Sequence, residues 1–262
     1  MIQLLTDSLP DVPDDTPFGC KILSAARVYG LKEPFEQFWV QDGGTIVAKL
    51  DTEAILLEKE GADAEELCAF LRTLDLKTLC CPEETAGHLV FPVSRRGEIM
   101  VLHPQEKNAG KSMGADEKAP GPREIYSLLE QAHSEDFPVP EFEPFYLDLS
   151  FRTRHGAALS SGVTLDGLLA ACAVCTSVTD HAAVISAVVC APDFRHRGLA
   201  GTAVRDLITR LNRPDIYIFR AEGENEEFYR SLGFRHYENW ANLETKERGE
   251  KANGKANKRQ TL

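Results

Sequence analysis

The sequence predicts an α+β fold, mixed α/β in content and built on a mixed sheet, and three features carry that prediction. The apolar run Ala182–Cys190 reads as a buried strand. The stretch that follows repeats Ala200, Val204, Leu207, Ile208 and Leu211 at the spacing of one helix face. Strands and helices are interspersed on both sides of this pair, an order that gives an α+β or α/β domain with a mixed sheet.

In the first half, FWVQDGGTIVAKLDTEAILLEK reads as two or three strands, with Asp42-Gly43-Gly44 as the first turn. Ala62–Leu74 keeps Ala64, Leu67, Phe70, Leu71 and Leu74 on one helical face. Leu76–Cys81, His88–Val93 and Glu98–His103 read as further strands. Residues 104–121 are poor in large apolar residues and rich in Lys, Gly, Ala and Pro, which is the composition of a flexible linker. The second half opens with a helix from Pro122, whose fixed φ suits a first turn, and a second helix spans about Phe145 to Arg154. Strands follow near Ala157–Thr164, Leu168–Ser177 and Ala182–Cys190. The helix Ala200–Leu211 is closed by Asn212 and Pro214. A strand Asp215–Arg220, a helix Glu224–Leu232, a left-handed cap at Gly233 and a strand from Phe234 complete the unit. Residues 245–262 read as a basic, disordered tail. The expected units are 1–103, a linker 104–121, 122–244 and the tail 245–262.

The turn between the strand Ala182–Cys190 and the next helix is suited to phosphate. A helix N-terminus leaves backbone N–H groups unpaired and carries partial positive charge. Gly198, Ala200 and Gly201 leave room for an anion to reach those groups, and Arg195 and Arg197 add charge at the rim. Taken alone, such a turn also occurs at strand–helix junctions that bind nothing. It is neither a Gly-Lys-Ser/Thr phosphate loop nor a GxGxxG turn.

A second string, NEEFYRSLGF, follows on the expected short helix. With Arg195-His196-Arg197-Gly198-Leu199-Ala200 it resembles the two signatures of the GNAT superfamily of acyl-CoA N-acyltransferases: Gln/Arg-x-x-Gly-x-Gly/Ala, then a Phe-Tyr-x-x-Leu-Gly-Phe segment, in order and on the right elements. The resemblance covers roughly Pro122 to Glu244 and implies a GNAT-like fold with a mixed, mostly antiparallel sheet. The first half repeats the order strands, helix, strand without either signature, and reads as a degenerate copy of the same fold or as an unrelated lid or dimerisation domain.

The resemblance further implies acetyl-CoA as co-substrate, no metal, and an amine of a small molecule or protein as acceptor, attacked directly in a ternary complex. Backbone groups of Val188, Val189 and Cys190 would hold the pantetheine arm and polarise the acyl carbonyl. Arg195, His196, Arg197, Gly198, Leu199, Ala200 and Gly201 would cradle the pyrophosphate. Tyr229 is the expected general acid. Where the family carries an asparagine that bonds the coenzyme, this chain has Glu222, and either Asn225 substitutes or the contact is absent. The strand VISAVVC lacks the glutamate that serves many members as general base. Asp180 and His181 stand at its wrong end, which leaves water as the default. Arg152, Arg154 and His155 read either as a carboxylate-reading acceptor site or as structural ion-pair residues.

Charge and composition narrow the alternatives. A formal net charge of −12 over 262 residues argues against a nucleic-acid partner. No apolar run is long enough to span a membrane, and no signal peptide opens the chain, so a cytoplasmic monomer or homodimer is expected. Seven cysteines, an odd number, argue against a disulfide framework. Cys172 and Cys175 have CxxC spacing but fall on a strand, where positions three apart face opposite sides. The alternatives to an enzyme are a non-catalytic acyl-CoA-binding regulator and a scaffold protein.

Overall fold

The computed structural model describes residues 1–104, 119–133 and 139–245, so the expected linker and tail fall almost wholly outside the described residues. In chain order the first half runs β1 (Ile2–Leu4), α1 (Pro17–Tyr29), β2 (Glu36–Gln41), β3 (Ile46–Leu50), β4 (Glu53–Leu57), α2 (Ala64–Thr73), β5 (Thr78–Pro82), α3 (Glu83–His88) and β6 (Val93–Leu102). The second half runs α4 (Pro122–Ala132), α5 (Phe142–Arg154), β7 (Leu159–Leu165), β8 (Leu168–Val178), β9 (Ala182–Cys190), α6 (Leu199–Leu211), β10 (Asp215–Ala221), α7 (Glu226–Ser231) and β11 (Arg235–Leu243).

Local chemistry explains most of these boundaries. The Thr16 hydroxyl caps α1 by accepting from the Gly19 N–H, and Pro17 fills its first turn. The Asp63 carboxylate caps α2 by accepting from the N–H groups of Glu65 and Glu66. Asn212, at φ 46°, closes α6, and Gly233, at φ 97°, takes the left-handed cap expected of it. Two readings of the sequence need correction. Helix α1 was not expected, although Thr16-Pro17 is a start signal and Phe18, Ile22 and Val28 form its buried side. The strand expected at His88–Val93 is instead the end of α3 and a loop. Glu83 and Glu84 suit the first turn of a helix, and Pro92 has no N–H to lend a ladder before β6 begins at Val93.

Among the described residues, eleven strands form one sheet in the order β1-β2-β3-β4-β5-β11-β6-β10-β9-β8-β7. The two halves are built alike. Strands β2, β3 and β4 are an antiparallel meander, helix α2 follows, and β5 returns parallel to β4. Strands β7, β8 and β9 repeat the meander, α6 follows, and β10 returns parallel to β9. A short helix then leads to a final strand in each half, and these final strands are exchanged. Strand β6 pairs with β10 of the second half, β11 pairs with β5 of the first, and the two pair antiparallel with each other at the centre. The first half is therefore a second copy of the same strand–helix plan. At the crossing, Gly97 of β6 has no space for a side chain: a Cβ there would lie 2.0 Å from the Arg220 carbonyl and 2.6 Å from the Trp240 ring.

Side-chain alternation gives the sheet two apolar faces. On one, Ala203, Val204, Leu207 and Leu211 of α6 pack on Ala173, Cys175, Ile185, Ile216 and Ile218. On the other, Phe18 and Cys20 of α1 meet Ile99, Val101, Val184 and Tyr217, while α4 and α5 cover Cys172, Val174 and Val189. Burying each such leucine or isoleucine contributes about 2 kcal/mol. Cys172 and Cys175 thus point to opposite faces, and burial pushes both thiols up to about 12.

Candidate active site

Where strands β9 and β10 part, the sheet opens a cleft. Their parallel pairing runs from Ala182–Asp215 to Ile185–Ile218 and stops. Beyond it β10 continues to Ala221 against β6 alone, and β9 continues to Cys190 against β8 alone. From Ser186 to Cys190, one side of the β9 backbone has no strand partner among the described residues. Buried peptide groups require partners, so this edge is suited to a bound chain of amide and carbonyl groups. A cleft of about 1500 Å³ follows the edge, and Val188, Val189 and Cys190 all line it.

The same cleft ends on the N-terminus of α6. A single turn, Pro192–Phe194, carries the chain from β9 to the helix. The first helical bond runs from the Thr202 N–H to the Gly198 carbonyl at 3.0 Å, leaving the N–H groups of Leu199, Ala200 and Gly201 without helical partners. Arg195, His196 and the four residues Gly198–Gly201 line the cleft. Gly198 takes φ 77°, a left-handed conformation. A Cβ there would meet nothing within 4 Å, so the glycine is required by the backbone and keeps the anion side of the turn clear. At Gly201 a Cβ would touch Arg205 and Leu232 at ordinary contact distance, so packing does not demand a glycine there. Arg197 departs from expectation. Its guanidinium lies over the Phe194 ring, 5.3 Å from the centroid, and donates to the Asp193 carbonyl at 3.1 Å, turned onto its own loop instead of the rim.

Helix α7 forms the facing wall. Asn225, at φ 53°, precedes its first turn and lines the cleft, and its side chain makes no capping bond. Arg220 of β10 ties this wall to the sheet by binding Glu98 of β6 and reaching Glu226 at 3.0 Å. Burial alone would push the Glu98 carboxyl up, but hydrogen bonds from His236 and Arg220 hold it below the usual range. Tyr229 is 7 % exposed and lines the cleft, its ring edge-on to Phe228 and Phe234. Its hydroxyl bonds to no group among the described residues. Burial, reinforced by Glu224, raises the phenol further, so Tyr229 holds its proton throughout the neutral range.

At the other end of the cleft lies a polar cluster that sequence reasoning found only in part. Arg152 is buried; its Nε donates to Asp148 at 2.8 Å and its Nη1 to the Thr176 carbonyl at 3.1 Å. The Tyr29 hydroxyl of α1 donates to the same Asp148 oxygen, and the Tyr29 ring stacks on Phe151. Glu36 of β2 completes the cluster at 1 % exposure. Arg152 is thereby committed to its own chain, while Arg154 and His155 face solvent. Asp180 and His181 lie outside the cleft wall, at the other end of β9, where His181 pairs with Asp14 at 2.8 Å. Glu36 was missed because the strand was read as starting at Phe38. A charged residue on the buried phase of the alternation in EQFWVQ was the available signal.

Residues 123–234 match the sequence model of the acetyltransferase (GNAT) family. No curated protein sequence matches the chain. Solved structures match over most of its length. A GCN5-related N-acetyltransferase from Kribbella flavida is 18 % identical, with a TM-score of 0.56 over 85 % of this chain and 93 % of that one. A tandem GNAT protein from the clavulanic acid biosynthesis pathway is 17 % identical, with a TM-score of 0.58 over 91 % and 90 %. An acetyltransferase of the GNAT family from Novosphingobium aromaticivorans is 20 % identical, with a TM-score of 0.57 over 89 % and 97 %. At these identities the likeness is one of fold. Residues 123–234 thus match the acetyltransferase (GNAT) family model, in a chain whose first half repeats the same strand–helix plan without either signature.

Proposed function

We propose that the protein is an N-acetyltransferase that moves the acetyl group of acetyl-CoA onto an amine by direct attack in a ternary complex. The observation that carries this reading is a single cleft that joins an unpaired strand edge, Ser186–Cys190, to an open helix N-terminus at Leu199–Gly201. A diphosphate suits the helix end, where N–H groups and the helix dipole favour an anion. A pantetheine arm suits the strand edge, because its amides can complete the ladder that β10 abandons. The thioester then lies against Val188–Cys190, where a backbone N–H can stabilise the oxyanion that forms on attack.

The chemistry needs orientation and two proton movements. The neutral amine attacks the carbonyl carbon, the C–N bond forms, and the C–S bond breaks with its electron pair going to sulfur. Tyr229 donates its proton to that thiolate and is recharged by the proton the nitrogen sheds. Two measurements test the reading. Isothermal calorimetry is expected to show saturable acetyl-CoA binding at one site, and thiol release is expected when an amine acceptor is added. Tyr229→Phe should keep the affinity for acetyl-CoA and lower kcat by about 10²-fold. Absence of acetyl-CoA binding by the wild-type chain overturns the proposal.

A further inference from the structure

We infer that Glu36, contributed by the first half of the chain, is the carboxylate that receives the acceptor's ammonium group and takes its proton, so that the acceptor is a cationic alkylamine. The inference rests on the acetyl-transfer reading and deepens it.

Glu36 lines the same cleft as Val188 and Tyr229, although β2 belongs to the copy without signatures. A short chain of interactions links it to the reacting strand. Arg152, whose charge acts on Glu36, holds the Thr176 carbonyl. The Thr176 and Ser186 hydroxyls are hydrogen-bonded across β8 and β9, and the Thr176 N–H donates to Ser186 Oγ at 3.3 Å. Ser186 is the residue skipped by the register irregularity in β9, two positions before Val188. The cluster therefore adjoins the strand edge that holds the thioester in the reading above.

Glu36 is 1 % exposed, and its Oε2 has no hydrogen-bond partner among the described residues. A buried carboxylate oxygen in that state is costly unless a donor reaches it. The charged and titratable groups around it are Arg152 and Asp148 of α5 and Tyr29 of α1. Arg152 is bonded to Asp148 and Thr176, and Tyr29 to Asp148, so neither bonds Glu36. Against one arginine stand two carboxylates, and a cation from the cleft completes the balance. Burial pushes the Glu36 carboxyl up to about 7, with Asp148 adding to the rise and Arg152 opposing it, which suits a base working near neutral pH.

The proton inventory closes. One ammonium N–H passes to Glu36, and the freed lone pair forms the C–N bond as the C–S bond breaks. The nitrogen's second proton recharges the group that protonated the thiolate, and Glu36 releases its proton to solvent through the open cleft. Amide, coenzyme A thiol and one proton leave.

The test uses the full-length chain with two kinds of acceptor: n-butylamine and spermidine, cationic at pH 7, and p-anisidine, an arylamine already neutral there. Glu36→Gln preserves shape and removes a buried charge. It should leave acetyl-CoA affinity within about twofold, lower kcat/KM for the alkylamines by about 10²-fold, and spare p-anisidine. The wild-type profile for alkylamines should rise with an apparent pKa near 7, and the variant should lose that limb. Glu36→Asp, which keeps the charge and shortens the reach, should give an intermediate rate with the limb retained, and it serves if the glutamine variant does not fold. Calorimetry of spermidine binding, weakened in Glu36→Gln, provides a readout independent of turnover. Unchanged alkylamine kinetics, pH profile and spermidine binding, or an equal loss for both acceptor kinds, overturns this inference while leaving acetyl transfer standing. Failure of the wild type to bind acetyl-CoA overturns both.

Discussion

Glu36 shows how one side chain can shape the pH response of the whole molecule. Its carboxyl is raised from an ordinary 4.5 to about 7, mainly by burial. A group raised on folding contributes most to stability below its unfolded value and loses that contribution as pH rises through the folded one. Stability should therefore decline between about pH 4.5 and 7, by on the order of 3 kcal/mol from this group. Glu238, also raised to about 7 by burial, adds in the same direction. Glu98 has the opposite sign: its carboxyl is held low, so its contribution is lost as pH falls below its ordinary 4.5. Urea denaturation followed across pH 4–8 should show wild-type stability falling over the upper range, with Glu36→Gln nearly flat over pH 5–7 apart from the Glu238 contribution. A parallel decline in both proteins would contradict the burial argument. The site residues were legible at this scale where main chain does the work: Gly198 and its neighbours announce a helix N-terminus by type and spacing. Glu36 was legible only as an oddity, since nothing in EQFWVQ says what lies across from it.

Among elements, the start of α6 has the clearest consequence. Gly198 sits at φ 77° with open space where a side chain would go. Gly198→Glu should keep the fold, with a strain of about 1–2 kcal/mol from the left-handed conformation, and place a carboxylate where an anion belongs. Acetyl-CoA binding should fall below detection by calorimetry while the far-ultraviolet circular dichroism spectrum stays that of the wild type. Gly198→Asn, better tolerated at positive φ, should retain more of both. Helix α6 and strand β9 were readable in advance because their periodicities are long and unambiguous. Helix α1 and helix α3 were not. Helix α1 lies in a proline- and aspartate-rich opening, and α3 is a single short run whose residues fit a loop or strand equally well.

The whole molecule is held by the exchange of β6 and β11. Each half gives its last strand to the centre of the common sheet, so a half on its own would expose two edges, one of them at β10 beside the cleft. A fragment of residues 119–262 should therefore be largely unfolded or self-associated. Co-expression with residues 1–118 should restore protected amides in β6, β10 and β11, as read by hydrogen exchange. A monomeric, cooperatively folded fragment would show that the exchange is dispensable.

Sequence alone determined the main secondary elements of the second half, the family signatures on them and the phosphate-suited turn, because each depends on neighbours within a few residues. It also disclosed the repeated strand–helix order. Only the tertiary structure decided which strand closes which half, that Arg197 turns away from the rim, and that Glu36 of the first half comes within range of the Arg152 charge. Strand exchange and buried charge partners are pairings between remote segments, and a linear pattern holds no record of which remote segments touch.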